Sequence, residues 1–398
     1  MSETGRDATT SLPAPAPASI KRPIRVAVVG MSVNRTDGVR DHATLLAQAA
    51  ARENVSCSLH WHLRSEGSLS GTRSQLRAWT RELRRELAEG KPDAVLLHYS
   101  TFAFSYRGVP LLVRPTLAAF RTARIPLVTV LHEFAYPWRY GGFRGSVWAV
   151  TQRAALIDIM RASAAVVVTA EFRARWLASR RWLPRRRLVV SPVFSNLPPA
   201  LRGRPAQRGR PVLGLFGYSH QTAAMSLVLD ALRLLEDRGV HVQLRLLGAP
   251  GRSSPSGEAW LAGARSRDLV DALSFSDTLP AQDLSNALAD CEVLLLADTV
   301  GPTSRKTTLA ASLATGRPVV AIDGPRRWPK LVDSEAAVVV APRPSALADA
   351  VGALLADEGE RERAGERGRA FAEREMSLAR SARAVSALLQ EVLGARAS

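Results

Sequence analysis

The stretch GPTSRKTTLAASLATGRPVV, residues 301–320, decides the fold. It follows EVLLLAD (292–298), an apolar run with the length of a buried strand. Its second half predicts a helix over 307–315, because Leu and Ala recur four residues apart and a glycine then ends the pattern. Thr303 or Ser304 is the expected N-cap of this helix. Such a succession of strand, loop and helix is typical of parallel α/β sheets.

The loop before this helix predicts a phosphate-binding site. The first amides of a helix lack intrahelical acceptors and carry partial positive charge, so a helix N-terminus favours anions. Arg305 and Lys306 add positive charge where the helix dipole would favour acids. Arg305 can bind two phosphate oxygens, Lys306 acts as a point charge, and Thr307 and Thr308 supply hydroxyls. The alternative is an exposed loop whose cations are merely solvated.

Strand-like runs alternate with helical patterns along the rest of the chain. Two of them, IRVAVVG (24–30) and PVLGLFGYS (211–219), run into a glycine in the same way and open two similar halves. We therefore expect an α/β protein with two Rossmann-like domains that face each other across a ligand-binding cleft. The other strand candidates are 57–62, 94–99, 126–132, 164–169, 188–193, 242–248, 272–277, 292–298, 317–323 and 336–342.

Length and composition agree with two domains. The 398 residues exceed one ordinary core, and the Pro- and Arg-rich run NLPPALRGRPAQRGRP interrupts the alternation between the halves. The N-terminal residues are rich in Pro and Ala, which favours disorder. The predicted units are a disordered tail at 1–22, a first domain at 23–195, a linker at 196–210, a second domain at 211–375, and a C-terminal helix at 376–398 that can pack back on the first domain.

Composition also limits the function classes. The net charge of +18 would attract polyanions, but it is dispersed and mostly Arg. No recognition helix, zinc finger or aromatic RNA-binding signature accompanies it, so no nucleic-acid partner is expected. Cys57 and Cys291 are too far apart in sequence to indicate a disulfide framework or a zinc site. With no apolar run of about 18 residues and no signal peptide, we expect a cytoplasmic protein.

Four segments together resemble the GT-B glycosyltransferases of family 4. Residues 294–324 resemble the donor-binding loop and helix of that family, and 25–47 its opening strand and acceptor loop. PLVTVLHEF (126–134) is similar to its strand that ends in His, and 336–357 to its late strand and helix. The resemblance implies a retaining hexosyltransferase that uses a nucleoside diphosphate sugar. No Asp-x-Asp pair lies in a suitable loop, so neither a metal nor another cofactor is expected.

The sequence departs from this family in two places. The usual pair of glutamates, with seven residues between them, falls on Thr303 and Ala311. The usual Arg and Lys at the opening of the second domain are absent from GYSHQTAAM (217–225). We expect Arg305 and Lys306 to replace that positive charge and to stabilise the departing phosphate.

The loop and the resemblance together predict a set of site residues. The predicted catalytic residues are His132, Arg305 and Lys306. The predicted donor-binding residues are Gly217, His220, Phe275, Thr278, Thr303, Ser304, Thr307 and Thr308. The predicted acceptor-binding residues are Gly38, Arg40, His42 and Glu133. His132 ends a strand at the carboxyl edge, where a His can act as a base, although a His that caps a loop is the structural alternative. Gly38 either lets a ligand approach the backbone or makes a tight turn.

EFRARWLASRRWLPRRR (171–187) predicts a helix with interfacial character. It contains seven Arg, and a helix would align Phe172, Trp176 and Leu183 with cations on either side. This pattern indicates peripheral contact with an anionic membrane at its inner face and a lipid-linked acceptor. The alternative is a helix between two strands that packs its aromatic rings inward.

Three functions remain open from the sequence. The first is transfer of a sugar from a nucleotide-sugar donor to a sugar or lipid-linked acceptor. The second is a non-catalytic relative that binds nucleotide sugars, and the third is a sugar-nucleotide epimerase of the same fold. The scarcity of carboxylates in 299–308 disfavours the epimerase.

Overall fold

A computed structural model describes residues 22–34, 37–65, 67–135, 137–138, 142–201, 209–218 and 222–397. Its first half forms one parallel six-stranded sheet with helices on both faces. The elements of this half are β1 (Ile24–Ser32), α1 (Gly38–Ala50), β2 (Val55–Leu63), α2 (Leu69–Gly90), β3 (Ala94–Ser100), α3 (Val113–Ala123), β4 (Leu127–Glu133), α4 (Gly142–Ala162), β5 (Ala165–Val168), α5 (Glu171–Ala178) and β6 (Arg187–Val190).

The second half forms a second parallel six-stranded sheet. Its elements are β7 (Val212–Phe216), α6 (Thr222–Asp237), β8 (Gln243–Leu247), α7 (Pro255–Arg265), β9 (Leu273–Phe275), α8 (Ala281–Ala289), β10 (Val293–Leu296), α9 (Thr307–Ala314), β11 (Val319–Ile322), α10 (Pro329–Asp333), β12 (Val338–Val340), α11 (Pro344–Ala356), α12 (Glu358–Glu375) and α13 (Leu378–Ala397).

The strand order defines where each sheet can bind a ligand. The first sheet has the order β2-β1-β3-β4-β5-β6, and the second has the order β12-β11-β10-β7-β8-β9. The order reverses between β1 and β3 and between β7 and β10, and ligands bind at the carboxyl ends of strands beside such reversals. All twelve predicted strands form, and the predicted fold class of two Rossmann-like sheets is confirmed.

Burial explains why the apolar runs form the inner strands. β5, β10 and β11 are buried along their whole length, as expected for parallel strands covered on both faces. The edge strands β2, β9 and β12 are only partly buried. The most continuous apolar runs therefore lie in the middle of each sheet.

The helix α13 packs on the first domain, although it follows the second in sequence. It contacts α1, and its apolar side joins the core that also contains Ala43, Leu46 and Phe194. The residues it contributes are Ala382, Val385, Leu388 and Leu389. The chain thus crosses between the two sheets twice, once after β6 and once after α12.

One predicted helix differs from the structure. The helix expected over 171–187 ends at Ala178, so Leu183 does not lie on it. The chain then passes through a turn before β6 begins at Arg187. Near the C-terminus, residues 376–377 separate α12 from α13. Within the described part of the chain, no helix is both long enough and apolar enough to span a bilayer.

Candidate functional site

The reversal point of the second sheet lies beside the start of α9. Gly217 follows β7, Asp298 follows β10, and both strands point their carboxyl ends toward this point. Gly217 has a φ of +72°, and a Cβ atom there would lie 2.7 Å from Cγ2 of Thr308. Only glycine therefore allows this close approach. Thr307 and Thr308 form the first turn of α9 and remain partly exposed.

The N-terminus of α9 has no side-chain cap. Lys306 occupies the N-cap position, so the prediction of Thr303 or Ser304 is wrong. The reason is that the loop before α9 packs on the first domain. Ser304 Oγ donates to the carbonyl of Thr169 (2.9 Å), and the Ser304 carbonyl accepts from the amide of Val193 (2.9 Å). Ser304 and Thr303 are 2% and 1% exposed, and their predicted contact with a donor stays a prediction.

Each of the two predicted cations has a carboxylate partner. Arg305 Nη1 lies 3.3 Å from Oε1 of Glu133, across the gap between the domains. Lys306 Nζ makes an ion pair with Oδ2 of Asp298. The sequence prediction left this positive charge uncompensated, but the two sheets bring the ends of β4 and β10 to the same place. Because both cations are partly exposed, a phosphate can replace these carboxylates at small cost.

The ends of β7, β8 and β9 form another side of this site. The ring of Phe275 lies 6.0 Å from that of Tyr218 in an edge-to-face arrangement. The hydroxyl of Tyr218 accepts a hydrogen bond from the amide of Gly251 (2.8 Å). Thr278 is exposed beyond β9. His220 lies outside the described residues.

Three histidines gather near the reversal point of the first sheet. His98 Nδ1 and His132 Nε2 are 3.0 Å apart, so one of them donates to the other. The ring of His42 lies 5.3 Å from that of His132. Burial lowers the pKa of His42 to about 4 and holds the pKa of His98 and His132 well below the ordinary value. The cluster is therefore neutral at pH 7.

The other predicted acceptor residues occupy the start of α1. Asp37 caps this helix by accepting from the amide of Val39 (2.8 Å). Gly38 faces open space on its Cβ side, and Arg40 is exposed. His42 is only 7% exposed, and its ring stacks on Phe194 at 4.3 Å. Its predicted contact with an acceptor stays a prediction.

Comparison with known proteins adds to this geometry. Residues 210–357 match the family of group 1 glycosyl transferases. These residues include β7, the loop before α9 and α9 itself. Over these residues the chain is similar to group 1 glycosyl transferases. No curated protein matches the sequence significantly.

Solved structures of GT-B glycosyltransferases share the fold of this chain at low sequence identity. A glycosyltransferase from Rickettsia africae superposes with a TM-score of 0.72 at 12% identity, over 93% of this chain and 99% of that one. Sucrose-phosphate synthase from Thermosynechococcus elongatus superposes with a TM-score of 0.68 at 14% identity, over 93% of this chain and 100% of that one. HepE from Anabaena, solved in complex with UDP, superposes with a TM-score of 0.66 at 13% identity, over 92% of this chain and 100% of that one.

Sequence reasoning missed two charged residues of this site. Asp298 ends the apolar run of β10, so an acid at a strand end was a usable signal. Arg173 belongs to α5 of the first domain and interacts electrostatically with Arg305 and Glu133. It lies in the Arg-rich stretch 171–187, but no local pattern placed it at this site, because Glu133 and Arg305 come from distant segments.

Among the described residues, no group of three or more His, Cys, Asp or Glu side chains is arranged to hold a metal ion.

Proposed function

We propose that this chain is a glycosyltransferase that transfers a hexosyl group, with retention, from a UDP-sugar to an acceptor bound by the first domain. The observation that carries the proposal is the uncapped N-terminus of α9, with Arg305 and Lys306 beside it and Gly217 facing it. Such a helix end binds pyrophosphate through its free amides and its dipole. The UDP complex of HepE supports uracil as the base.

The leaving group determines what this site contributes to the reaction. Cleavage of the bond between sugar and phosphate increases negative charge on the diphosphate. Donors that are already oriented toward that charge lower the barrier, and removing one typically costs about 3–4 kcal/mol. When the donor binds, Arg305 leaves Glu133 and pairs with the diphosphate. Lys306 likewise leaves Asp298 and pairs with the diphosphate. The departing phosphate then accepts the proton of the acceptor hydroxyl, so no paired carboxylates are needed.

His132 is the proposed contact to the transferred sugar or the acceptor. Its Nε2 atom is engaged with His98, which leaves Nδ1 without a partner among the described residues. The depressed pKa keeps the ring neutral, so it can exchange hydrogen bonds with a sugar hydroxyl without carrying charge. We expect His132→Ala to lower kcat/KM about 100-fold while UDP affinity stays unchanged. Full turnover by this variant would remove His132 from the chemistry.

A UDP titration tests the donor site. We expect UDP to raise the melting temperature, with stabilisation of about 2.7 kcal/mol at a hundred times its Kd. The double variant Arg305→Ala/Lys306→Ala should abolish this shift and remain folded, because both side chains are partly exposed. The matched control is Arg369→Ala, which removes an exposed cation near the opposite end of α9. Equal UDP affinity in the double variant and the wild type would contradict the assignment.

Slow donor hydrolysis separates an enzyme from a binding protein. A transferase without its acceptor usually transfers the sugar to water, whereas a protein that only binds nucleotide sugars does not. We expect release of UDP and free sugar from at least one UDP-hexose, and no release by the double variant. Binding of the donor without any hydrolysis would favour the non-catalytic alternative.

A lipid-linked acceptor is proposed from a surface of the first domain that we call the tryptophan surface: Trp138, Val150, Arg153, Trp176, Arg180 and Trp182. It surrounds a cavity of about 460 Å³. Trp138 and Trp182 are 55% and 42% exposed, and Arg153 lies 4.2 Å above the ring of Trp138. Exposed indole rings interleaved with Arg are typical of contact with anionic lipid. Trp176 also packs against the hydrophobic core of the first domain, which is the inward packing that the alternative interpretation of 171–187 predicts.

Vesicle co-sedimentation tests this contact. We expect binding to phosphatidylglycerol vesicles at low salt and none to neutral phosphatidylcholine vesicles. Trp138→Ser/Trp182→Ser should abolish binding, whereas Leu59→Ser/Leu63→Ser, on the opposite edge strand β2, should not. Failure of the wild type to bind anionic vesicles at low salt would rule out the membrane contact.

A further inference from the structure

Three guanidinium groups from different elements meet at the gap between the domains. Arg173 belongs to α5, Arg305 precedes α9, and Arg326 follows β11. The central carbon of Arg173 lies 5.4 Å from the ring centre of Phe134 and 5.9 Å from that of Phe172. Arg326 lies 5.2 Å from the same ring of Phe172. We call these three side chains the interdomain arginine cluster.

Arg173 is the unusual member of this cluster. Its Nη1 atom is shielded from solvent and has no hydrogen-bond partner in the part of the chain that the structure describes. Burial, helped by the charges of Arg305 and Arg326 and opposed by Glu133, lowers its pKa to about 10. The side chain is therefore a cation at neutral pH. A buried, charged donor without an acceptor is unfavourable unless a ligand supplies the acceptor.

The charge balance of the cluster defines the ligand chemistry. Glu133, the carboxylate closest to Arg305, contacts it at 3.3 Å and is largely exposed. Three cations against one carboxylate leave an excess of two positive charges. A phosphate monoester carries nearly two negative charges at neutral pH, and its oxygens match the planar donors of guanidinium. The cluster thus favours a phosphate group.

Position separates this site from the donor site. The proposed donor diphosphate interacts with the amides of α9, with Lys306 and with Arg305, which all belong to the second domain. Arg305 is therefore shared between the donor site and the cluster. Arg173 and its two aromatic neighbours belong to the first domain, where the acceptor binds if the proposed function is correct. We propose that the interdomain arginine cluster binds a phosphate group of the acceptor, so that the acceptor is a phosphorylated sugar or a lipid phosphate.

Calorimetric titration with inorganic phosphate, in the absence and presence of saturating UDP, tests the proposal. We expect phosphate to bind in both conditions. Arg173→Met should weaken phosphate binding about tenfold and leave UDP affinity unchanged, because charged hydrogen bonds are lost only at this site. Arg175→Met is the matched control, since Arg175 lies on the same helix with a side chain that is 67% exposed. Arg326→Met, at an exposed position, provides a second variant that should also weaken phosphate binding.

Stability provides an independent readout. Met retains an unbranched apolar chain against Phe134 and Phe172 and removes the unpaired buried charge. We therefore expect Arg173→Met to melt at the same temperature as the wild type or higher, although it binds phosphate less well. A purely structural arginine would show the opposite change in melting temperature.

Three results would overturn the proposal. These are absence of phosphate binding to the wild type, loss of phosphate binding when UDP is present, and equal phosphate binding by the wild type and Arg173→Met. None of these depends on whether UDP is the true donor nucleotide. If UDP fails to bind at all, the proposed donor is wrong, while the phosphate titration of the variants still decides whether the cluster is a site.

Discussion

At the scale of single residues, Gly217 is the most constrained position of the donor site. A side chain there meets both an unfavourable φ of +72° and the methyl group of Thr308. We expect Gly217→Ala to destabilise the fold by about 1–3 kcal/mol and to weaken UDP binding, because β7 must withdraw from α9. Urea unfolding and UDP titration measure the two effects.

Gly38→Ala is the matched substitution in the first domain. No atom lies within 4 Å of the new Cβ, and Gly38 is the first residue of α1. Stability should be unchanged or higher by up to about 1 kcal/mol. If transfer to the acceptor nevertheless falls, close approach of the acceptor to this backbone is supported. If Gly38→Ala lost as much stability as Gly217→Ala, there would be no open space for a Cβ atom at Gly38.

The histidine cluster predicts acid sensitivity. His42, His98 and His132 stay neutral in the folded chain, whereas each takes a proton below about pH 6.5 when the chain unfolds. The unfolded state then binds more protons, so stability is unaffected above this pH and falls as the pH drops below it. The loss is up to about 1.4 kcal/mol per pH unit for each histidine.

His42→Phe tests this sign. Phe preserves stacking on Phe194 and removes one titrating group. Between pH 6 and pH 5, the dependence of unfolding free energy on pH should decrease by about 1 kcal/mol per unit. His241→Gln, which removes an exposed imidazole, is the control. The same pH dependence in His42→Phe and the wild type would refute the assignment of buried neutral rings.

At the scale of elements, Glu375 organises the break between α12 and α13. Its side chain is 5% exposed and accepts contacts from Lys330 (2.7 Å), Arg374 (3.1 Å) and Arg380 (3.3 Å). Burial opposes ionisation, but these three cations outweigh it and lower the pKa of Glu375. The cations come from α10, α12 and α13, so one carboxylate sets the relative position of three helices.

Glu375→Gln should therefore destabilise the chain. We expect a loss of about 1–3 kcal/mol at pH 7, since a buried acceptor of charged hydrogen bonds is replaced by a neutral amide. The pKa of Glu375 is lower in the folded chain than in the unfolded chain. Its ion pairs therefore stabilise the fold fully above the ordinary pKa of Glu, and this stabilisation is lost as the pH falls through the folded pKa. The variant and the wild type should accordingly converge in acid. Glu373→Gln, at a side chain that is 73% exposed, should change stability little.

At the scale of the whole molecule, the last helix completes the first domain. Leu388 on α13 is 2% exposed in the core beneath the first sheet. Leu388→Ala should cost about 2–5 kcal/mol, which for a domain of this size lowers the melting temperature by about 5–15 °C. Arg383→Ala, exposed on the same helix, is the control. A melting temperature equal to that of the wild type would mean that α13 does not hold the first domain together.

The two domains also contact each other directly beside the cleft. Trp328 Nε1 donates to Oε1 of Glu171 (3.1 Å), and Ser304 Oγ donates to the carbonyl of Thr169 (2.9 Å). These contacts join the start of α10 and the loop before α9 to the start of α5. The N-terminus of α9 and Arg173 are therefore held at a defined separation, which a reaction between two bound substrates requires.

The sequence by itself determined the two-sheet architecture, because apolar periodicity and the glycines near the ends of β1 and β7 are local properties of the chain. It also located α9 and the cations before it, since the signals of a helix start and stop lie within twenty residues. The tertiary structure alone decided the partners: Glu133 for Arg305, Thr169 for Ser304, Phe194 for His42, and Arg173 within the interdomain arginine cluster. Most of these pairs are separated by more than a hundred residues and meet only because the parallel strands end at one edge. No local pattern encodes such a meeting, so the electrostatics of the site followed from the fold.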